Sequence, residues 1–255
     1  MNNYGVYPSL KGRAVFVTGG ATGIGESVVT HFCHQGSKVA FVDINVEAGE
    51  HLVDRLAREA RNAPLFLPCD LVSIGTLQAC IQEAQRRLGT LRVLVNNAAN
   101  DDRHKLESVS VDYWDERLAV NLRHQFFAAQ AVIPGMKQAG GGSIINLGSM
   151  SWRAGMGGMP AYVTAKAAIE GLTRGLARDV GKSNIRVNTV VPGWVMTDRQ
   201  IRLWLDEEGE RTMDRMQCLA GRVMPEDIAR MVLFLASDDS RMCTAQAFVV
   251  DAGWL

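Results

Sequence analysis

Arg13-Ala14-Val15-Phe16-Val17-Thr18 runs directly into Gly19-Gly20-Ala21-Thr22-Gly23-Ile24-Gly25, and the reading of this stretch decides the fold. The first six residues are dominated by β-formers with no polar alternation, which predicts a strand buried on both faces. Glycines at 19, 23 and 25, in the order G-x-x-x-G-x-G, let the chain turn tightly and leave backbone amides bare. A helix is predicted from Gly23 to Gln35, and bare amides at a helix N-terminus carry partial positive charge suited to a pyrophosphate. The order is not G-x-G-x-x-G, so the nucleotide reading rests on placement after a first strand, before a helix, within a βαβ unit.

The next strand, Lys38 to Asp43, ends on a carboxylate 24 residues beyond Gly19. An acid there accepts hydrogen bonds from both adenosine ribose hydroxyls and repels a 2′-phosphate. Thr22 and Ile44, where a basic group would hold such a phosphate, are uncharged, so NAD is expected over NADP. The competing reading of Asp43 is a turn or cap residue. Beyond it the alternation continues, with strands near Leu65–Leu67, Leu91–Asn96, Ser143–Leu147, Ile185–Val191 and Ala247–Val250. Helices are predicted over Val46–Arg61, Ser73–Leu88, Asp112–Gln138, Pro160–Val180 and Pro225–Ala236. Seven apolar strands separated by helices imply right-handed crossovers. The expectation is one α/β domain over 1–255, doubly wound and Rossmann-type, with a seven-stranded parallel sheet and helices on both faces.

In such sheets ligands sit beyond the carboxyl ends of the strands. Asp70, with Leu71, follows the third strand and is a candidate for the adenine amino group. Asn96-Asn97-Ala98-Ala99 follows the fourth and offers small residues beneath a cofactor. Tyr162 and Lys166 stand four apart on a predicted helix and so share a face. A free phenol with a pKa near 10 is a poor base at neutral pH, and a neighbouring ammonium or a positive nicotinamide ring lowers it. Ser149, just past the fifth strand, is placed to bind a substrate oxygen, and Asn121 to hold a proton-relaying water.

These residues together resemble the short-chain dehydrogenase/reductase family over essentially the whole chain. The likeness is carried by Thr18-Gly19-x-x-x-Gly23-x-Gly25, Asp70, Asn96-Asn97-Ala98-Ala99, Asn121, Ser149, Tyr162-x-x-x-Lys166 and Pro192-Gly193 with Thr197. Ala99 stands where many members carry Gly. The resemblance implies a catalytic tetrad of Asn121, Ser149, Tyr162 and Lys166, and nicotinamide-side contacts from Pro192, Gly193, Val195 and Thr197. It also implies a homotetramer, with the helices Asp112–Gln138 and Pro160–Val180 in one interface. A narrower likeness, to bacterial NAD-dependent aldose dehydrogenases, rests on Asn100 to Lys105, Tyr113 to Arg117, Ser149-Met150-Ser151-Trp152 and the Asp251-Ala252-Gly253-Trp254 ending. On that likeness Asn100, Asp101, Ser151, Trp152 and Trp194 are expected around a sugar, with Ser149 and Tyr162 at its anomeric oxygen. A solvated loop of internal salt bridges is the other reading of Asp101 to Lys105.

The segment Arg199 to Arg222 mixes charges with Ile201, Leu203, Trp204, Met213 and Met216, and reads either as a substrate lid or as a surface helical pair. The expected chemistry is oxidation of an aldose by NAD, with a ketone or keto-acid substrate of sugar breakdown as the alternative. A non-catalytic NAD-binding regulator is the third reading, although the tetrad has no gap. Ser149 lacks a G-x-S-x-G setting, so a serine hydrolase is not expected.

Composition agrees. Lys+Arg and Asp+Glu each number 27, leaving no basic excess to coat a nucleic acid. With 47% hydrophobic residues the chain is not of the disordered class. The uncharged stretch Gln138–Trp152 is too short to span a bilayer. Met1 to Gly12 has no apolar secretory core, and a cytoplasmic location is expected. Cys33, Cys69, Cys80, Cys218 and Cys243 show no C-x-x-C spacing and read as core thiols. His31 and His34 share a helix face with no third ligand, so no metal is expected.

Overall fold

Val15, Phe16 and Val17 are wholly buried because helices cover both faces of their strand. The computed structural model describes residues 5–255. Its strands are β1 (Ala14–Thr18), β2 (Lys38–Asp43), β3 (Leu65–Pro68), β4 (Val93–Asn96), β5 (Gly142–Leu147), β6 (Ile185–Pro192) and β7 (Ala247–Val250). They form one seven-stranded sheet in the order 3-2-1-4-5-6-7, every pair parallel. The helices are α1 (Gly23–His34), α2 (Val46–Glu59), α3 (Ile74–Leu88), α4 (Val111–Leu118), α5 (His124–Gln138), α6 (Pro160–Val180), α7 (Asp198–Trp204), α8 (Glu207–Met216) and α9 (Pro225–Ala236).

Strand periodicity sorts β1 between two cores. Val15 and Val17 pack with Val28 and Phe32 of α1, Leu52 of α2 and Val232 of α9. Ala14 and Phe16 face the other way, into Ile81 of α3, Ala128 and Val132 of α5 and Leu176 of α6. Each large apolar side chain buried this way contributes roughly 1.5–3 kcal/mol. Side-chain oxygens satisfy the first orphan amides of several helices: Asn45 for α2, Ser73 for α3, Ser110 for α4, Thr197 for α7 and Asp206 for α8.

The sheet order reverses at β1, whose neighbours are β2 on one side and β4 on the other, so a crevice opens beyond the carboxyl ends of β1 and β4. Thr18 and Asn96 are partners there.

Two expectations are corrected. The helix predicted over Asp112–Gln138 is broken by a π turn, Ala119–Arg123, between α4 and α5. Hydrophobic periodicity carries no sign of one extra residue in a turn, whereas Asn121 inside it bonds the Arg117 carbonyl at 2.9 Å. Cys218, expected in the core, is exposed, and its thiol donates to the Gly253 carbonyl at 3.3 Å. Among the described residues no three His, Cys, Asp or Glu side chains gather as a metal site, and no helix is long and apolar enough to cross a membrane.

Candidate active site

The crevice is stitched together by two polar side chains at the strand ends. Thr18, fully buried, accepts the amide hydrogens of Asn97 and Ala98 on its hydroxyl at 3.0 and 3.2 Å. Asn97 replies with its side-chain amide, donating to the Thr18 carbonyl at 3.1 Å and to that of Gly19 at 2.7 Å. Gly19 has φ +63°, and a Cβ there would lie 2.7 Å from the Ala98 Cα. At Gly25 a Cβ would lie 1.8 Å from the Gly19 carbonyl oxygen. The turn closes only on glycine, and it keeps main-chain amides accessible beside the start of α1.

Asp43 serves this turn directly: one carboxylate oxygen accepts the Ala21 amide and the other the Asn45 amide, both at 2.9 Å. Each oxygen keeps a further lone pair for a ribose hydroxyl. Thr22 and Ile44 are exposed beside it, and Ile24 is half-buried. Asp70 is exposed and closes a turn onto the Val72 amide at 2.9 Å, with Leu71 buried behind it. Ala98 is half-buried and Ala99 exposed beyond β4. On the far side of the crevice Pro192 and Val195 are buried. A Cβ at Gly193 would meet Asp251 at 2.7 Å, and one at Gly23 would meet the Thr197 methyl at 3.1 Å. The loops after β1 and β6 therefore approach as closely as bare glycine permits.

The predicted tetrad converges at the same strand ends. Lys166 is buried, its ammonium donating to the Leu147 carbonyl at 2.7 Å and lying 5.5 Å from the centre of the Tyr162 ring. Ser149 takes the Ser151 amide on its hydroxyl oxygen at 3.1 Å and donates to the Ser151 hydroxyl at 3.0 Å. Asn121 spends both side-chain donors, on the Asn100 carbonyl at 3.1 Å and the Arg117 carbonyl at 2.9 Å. Its side-chain oxygen accepts the Asn100 amide at 2.8 Å, so toward a water this side chain can only accept.

Burial pushes the Tyr162 phenol above its usual range, and the Asp101 carboxylate pushes it further, against hydrogen bonding from Ser149 and the charge of Arg103. The sequence expectation gave Lys166 the work of lowering this phenol. Its ammonium lies 5.5 Å from the ring centre, where a positive charge favours phenolate, and it donates to the main chain at Leu147. Burial also pushes Lys166 down to about 7, opposed by Asp101.

Comparison with known proteins fixes the family. Residues 19–255 match the short-chain alcohol dehydrogenase family model described as enoyl-(acyl carrier protein) reductase. The chain is 50% identical over 249 residues, 98% of each sequence, to a D-xylose 1-dehydrogenase of Caulobacter vibrioides. It is 49% identical to a probable galactose dehydrogenase of Rhizobium meliloti, over 97% of this chain and 96% of that one. A solved 7α-hydroxysteroid dehydrogenase in complex with NADH superimposes with a TM-score of 0.92 at 30% identity, covering 97% of this chain and 96% of the other. The chain belongs to the short-chain dehydrogenase/reductase family.

In this short-chain dehydrogenase/reductase the residues expected around a sugar divide into two groups. Asp101 and Trp194 meet across the mouth through Gln200, whose amide donates to Asp101 at 2.7 Å and accepts from the Trp194 indole at 3.1 Å. Half-buried Asn100 and buried Ser151 are instead tied into the wall by local hydrogen bonds. Asn100 has its main chain clamped by Asn121 and its side chain on the Asp102 amide at 2.9 Å, and Ser151 is buried against Ser149. Trp152 is half-buried, with the Arg153 guanidinium 5.3 Å from its ring centre. Sequence reading gave Thr18 no task of its own beyond its place in the motif, and missed Gln200 and Arg103, which lies 5.2 Å from the Trp204 ring centre. A polar residue ending an apolar strand is the signal for Thr18. Thr197-x-x-Gln200 at a helix start marks Gln200, although as a cap motif.

Proposed function

We propose that this enzyme is a dehydrogenase that oxidises a free aldose at C1 with NAD⁺, giving the aldonolactone. The observation that carries the reading is a complete tyrosine, serine and lysine cluster beside a nucleotide cradle, in a chain half identical to a D-xylose 1-dehydrogenase along its length. The cradle fits the dinucleotide: glycines whose Cβ atoms would collide with the backbone leave amides for the pyrophosphate, and Asp43 is placed for the ribose hydroxyls. Lys166 would hold the nicotinamide ribose, and Pro192, Gly193, Val195 and Thr197 would contact the nicotinamide half. When bound, NAD⁺ supplies the hydride acceptor.

Ser149 and Tyr162 would hold the anomeric oxygen. The phenolate of Tyr162, favoured over its burial by the Lys166 ammonium and the positive ring of the bound cofactor, would remove its proton as the C1 hydrogen departs as hydride. The proton then leaves the phenol through a water that would be held on the Asn121 side-chain oxygen, with the Lys166 ammonium beside the path. Charge develops on oxygen in the transition state, so the Ser149 donor acts there more strongly than in the ground state. The test is the initial rate of NAD⁺ reduction over a panel of pentoses and hexoses, beside ketones and keto acids in the reverse direction. Turnover of ketones with none of aldoses would overturn the reading.

The helices α7 and α8 would act as a lid over the sugar; the ties of α7 to Asp101 and Asp102 on the opposite wall support this. A homotetramer is the assembly we propose, with α5 and α6 in one interface. Phe126 is 41% exposed there, beside a shallow apolar depression lined by Leu118, Leu122, Phe127, Ala168 and Leu172. A cytoplasmic location fits the five unpaired cysteines.

A further inference from the structure

We propose that Gln200 is the positioning residue that sets discrimination between aldose epimers, although it lies behind the surfaces that touch the sugar. The inference rests on the reading of Asp101 and Trp194 as sugar contacts. Gln200 is the third residue of α7, and its amide hydrogen bonds the Thr197 hydroxyl at 3.2 Å. In a capping box its side chain would return to the Thr197 amide. That amide is already taken, by the Val195 carbonyl at 2.8 Å. The Gln200 side chain instead bridges the mouth of the crevice, from the Trp194 indole on the β6 side to the Asp101 carboxylate on the β4 side.

The chemistry of this bridge is restrictive. One end must accept from an indole N–H while the other donates to a carboxylate. A primary amide does both. A carboxylate at this position accepts but cannot donate once ionised, and a Lys or Arg donates but cannot accept. The indole has a second restraint, because a Cβ on Gly209 of α8 would lie 2.8 Å from the ring, leaving glycine as the residue that fits. Asp101 has a second restraint in Arg199, at 3.4 Å from its other oxygen. Its carboxylate is 19% exposed, and it lies close enough for its charge to act on both Tyr162 and Lys166.

With one lone pair of Asp101 pinned by Gln200, the directions of the others are fixed. They select the hydroxyls of a sugar by position. The Trp194 ring, held by the same amide, offers its face to the C–H side. Epimers differ in which hydroxyl meets which lone pair, so loosening Gln200 blurs the distinction without touching the chemical step.

The experiment compares wild type, Gln200→Leu, Gln200→Glu and Asp101→Ala with the preferred aldose and an epimer of it, across pH 5 to 9, together with NAD⁺ affinity by calorimetry. Gln200→Leu is expected to raise KM for the preferred aldose about tenfold, the worth of one ordinary hydrogen bond. It should also shrink the epimer ratio in kcat/KM by a similar factor, with kcat and NAD⁺ affinity within about threefold. Gln200→Glu, nearly isosteric, should retain discrimination at low pH, where a protonated carboxyl still donates to Asp101. It should lose discrimination as pH rises, through an ionisation absent from wild type. An unchanged KM and epimer ratio in both Gln200 variants, with KM raised in Asp101→Ala, overturns the role of Gln200. An unchanged KM in Asp101→Ala overturns the sugar contact on which the proposal rests, whatever the Gln200 variants show.

Discussion

Thr18 at the end of β1 accepts the amide of Asn97 at 3.0 Å, and Asn97 donates back to the Thr18 carbonyl at 3.1 Å, so the two strands at the switch point are locked reciprocally. The hydroxyl takes a second amide, from Ala98, and is fully buried. We predict that Thr18→Val, which keeps the shape and removes the acceptor, costs about 1–3 kcal/mol through two half-buried amides left without their acceptor. The glycine turn hangs from the same residues, so NAD⁺ affinity should fall at least fivefold. Urea denaturation and calorimetric titration of one preparation check both effects, and a variant as stable as wild type would show that the lock contributes nothing.

In the proposed mechanism the phenol of Tyr162 carries the proton transfer, and Ser149 is aimed by Ser151. Tyr162→Phe should lower kcat by about 10³ or more, in the range of a lost general base, with NAD⁺ affinity within about threefold. Ser151→Ala removes the hydroxyl that accepts from Ser149, and leaves the residue-151 amide alone to orient it. It should cost roughly tenfold in kcat with KM for the aldose little changed, because the Ser149 donor matters most as charge develops. Steady-state rates at saturating NAD⁺ decide it, and undiminished turnover by Tyr162→Phe would remove this tyrosine from the mechanism.

Much of this site is legible in the sequence because its parts are tied to strand ends. Where β1, β4, β5 and β6 stop, a polar or glycine residue interrupts an apolar run, and Thr18, Asn97, Ser149 and Pro192 follow from that break. Strand-end placement holds for Asp43 as well: its carboxylate braces the glycine turn, as the turn reading expects, and its spare lone pairs leave the ribose reading open to test. The π turn at Ala119–Arg123 was not legible, because a single extra residue shifts the apolar stripe by less than its own width. Gln200 was not legible either. Its partners lie 6 and 99 positions away, and nothing local distinguishes a glutamine that caps its own helix from one that reaches across a cleft.

Cofactor choice follows from Asp43 and Ile44. A carboxylate at Asp43 repels a 2′-phosphate, and Ile44, 72% exposed, offers it no cation. We predict that the pair Asp43→Ser with Ile44→Arg raises the ratio of kcat/KM for NADP⁺ over NAD⁺ by at least 10². A serine hydroxyl still reaches toward the Ala21 amide, so the turn should survive. The single change Asp43→Ala should instead weaken both cofactors, since it leaves that amide unbonded. Equal loss for both cofactors in the double variant would mean that Asp43 braces the turn and does not choose between them.

Two buried bases make the protein's stability depend on pH in separate windows. Lys166 is pushed down to about 7 in the fold, so between pH 7 and its unfolded value near 10.5 the unfolded chain binds a proton that the native state has released. Stability therefore rises with pH through that interval. The difference between wild type and Lys166→Met, measured without cofactor, should move in favour of wild type over the same range.

His124 titrates lower. It is fully buried at the start of α5, and neither ring nitrogen has a well-formed hydrogen bond among the described residues, though the Ala119 and Val120 carbonyls of the π turn favour protonation weakly. Burial, with the charge of Lys166, pushes it down to about 3 from the usual 6.5. The neutral ring's contribution is complete above pH 6.5 and is lost progressively as pH falls toward 3, by at most about 5 kcal/mol. We predict that His124→Leu flattens this acid limb and leaves stability above pH 7 within about 2 kcal/mol of wild type. Denaturation midpoints at half-unit steps from pH 4 to pH 8 test it. If the acid limb of His124→Leu runs parallel to that of wild type, the carboxylates and not this histidine set the acid stability.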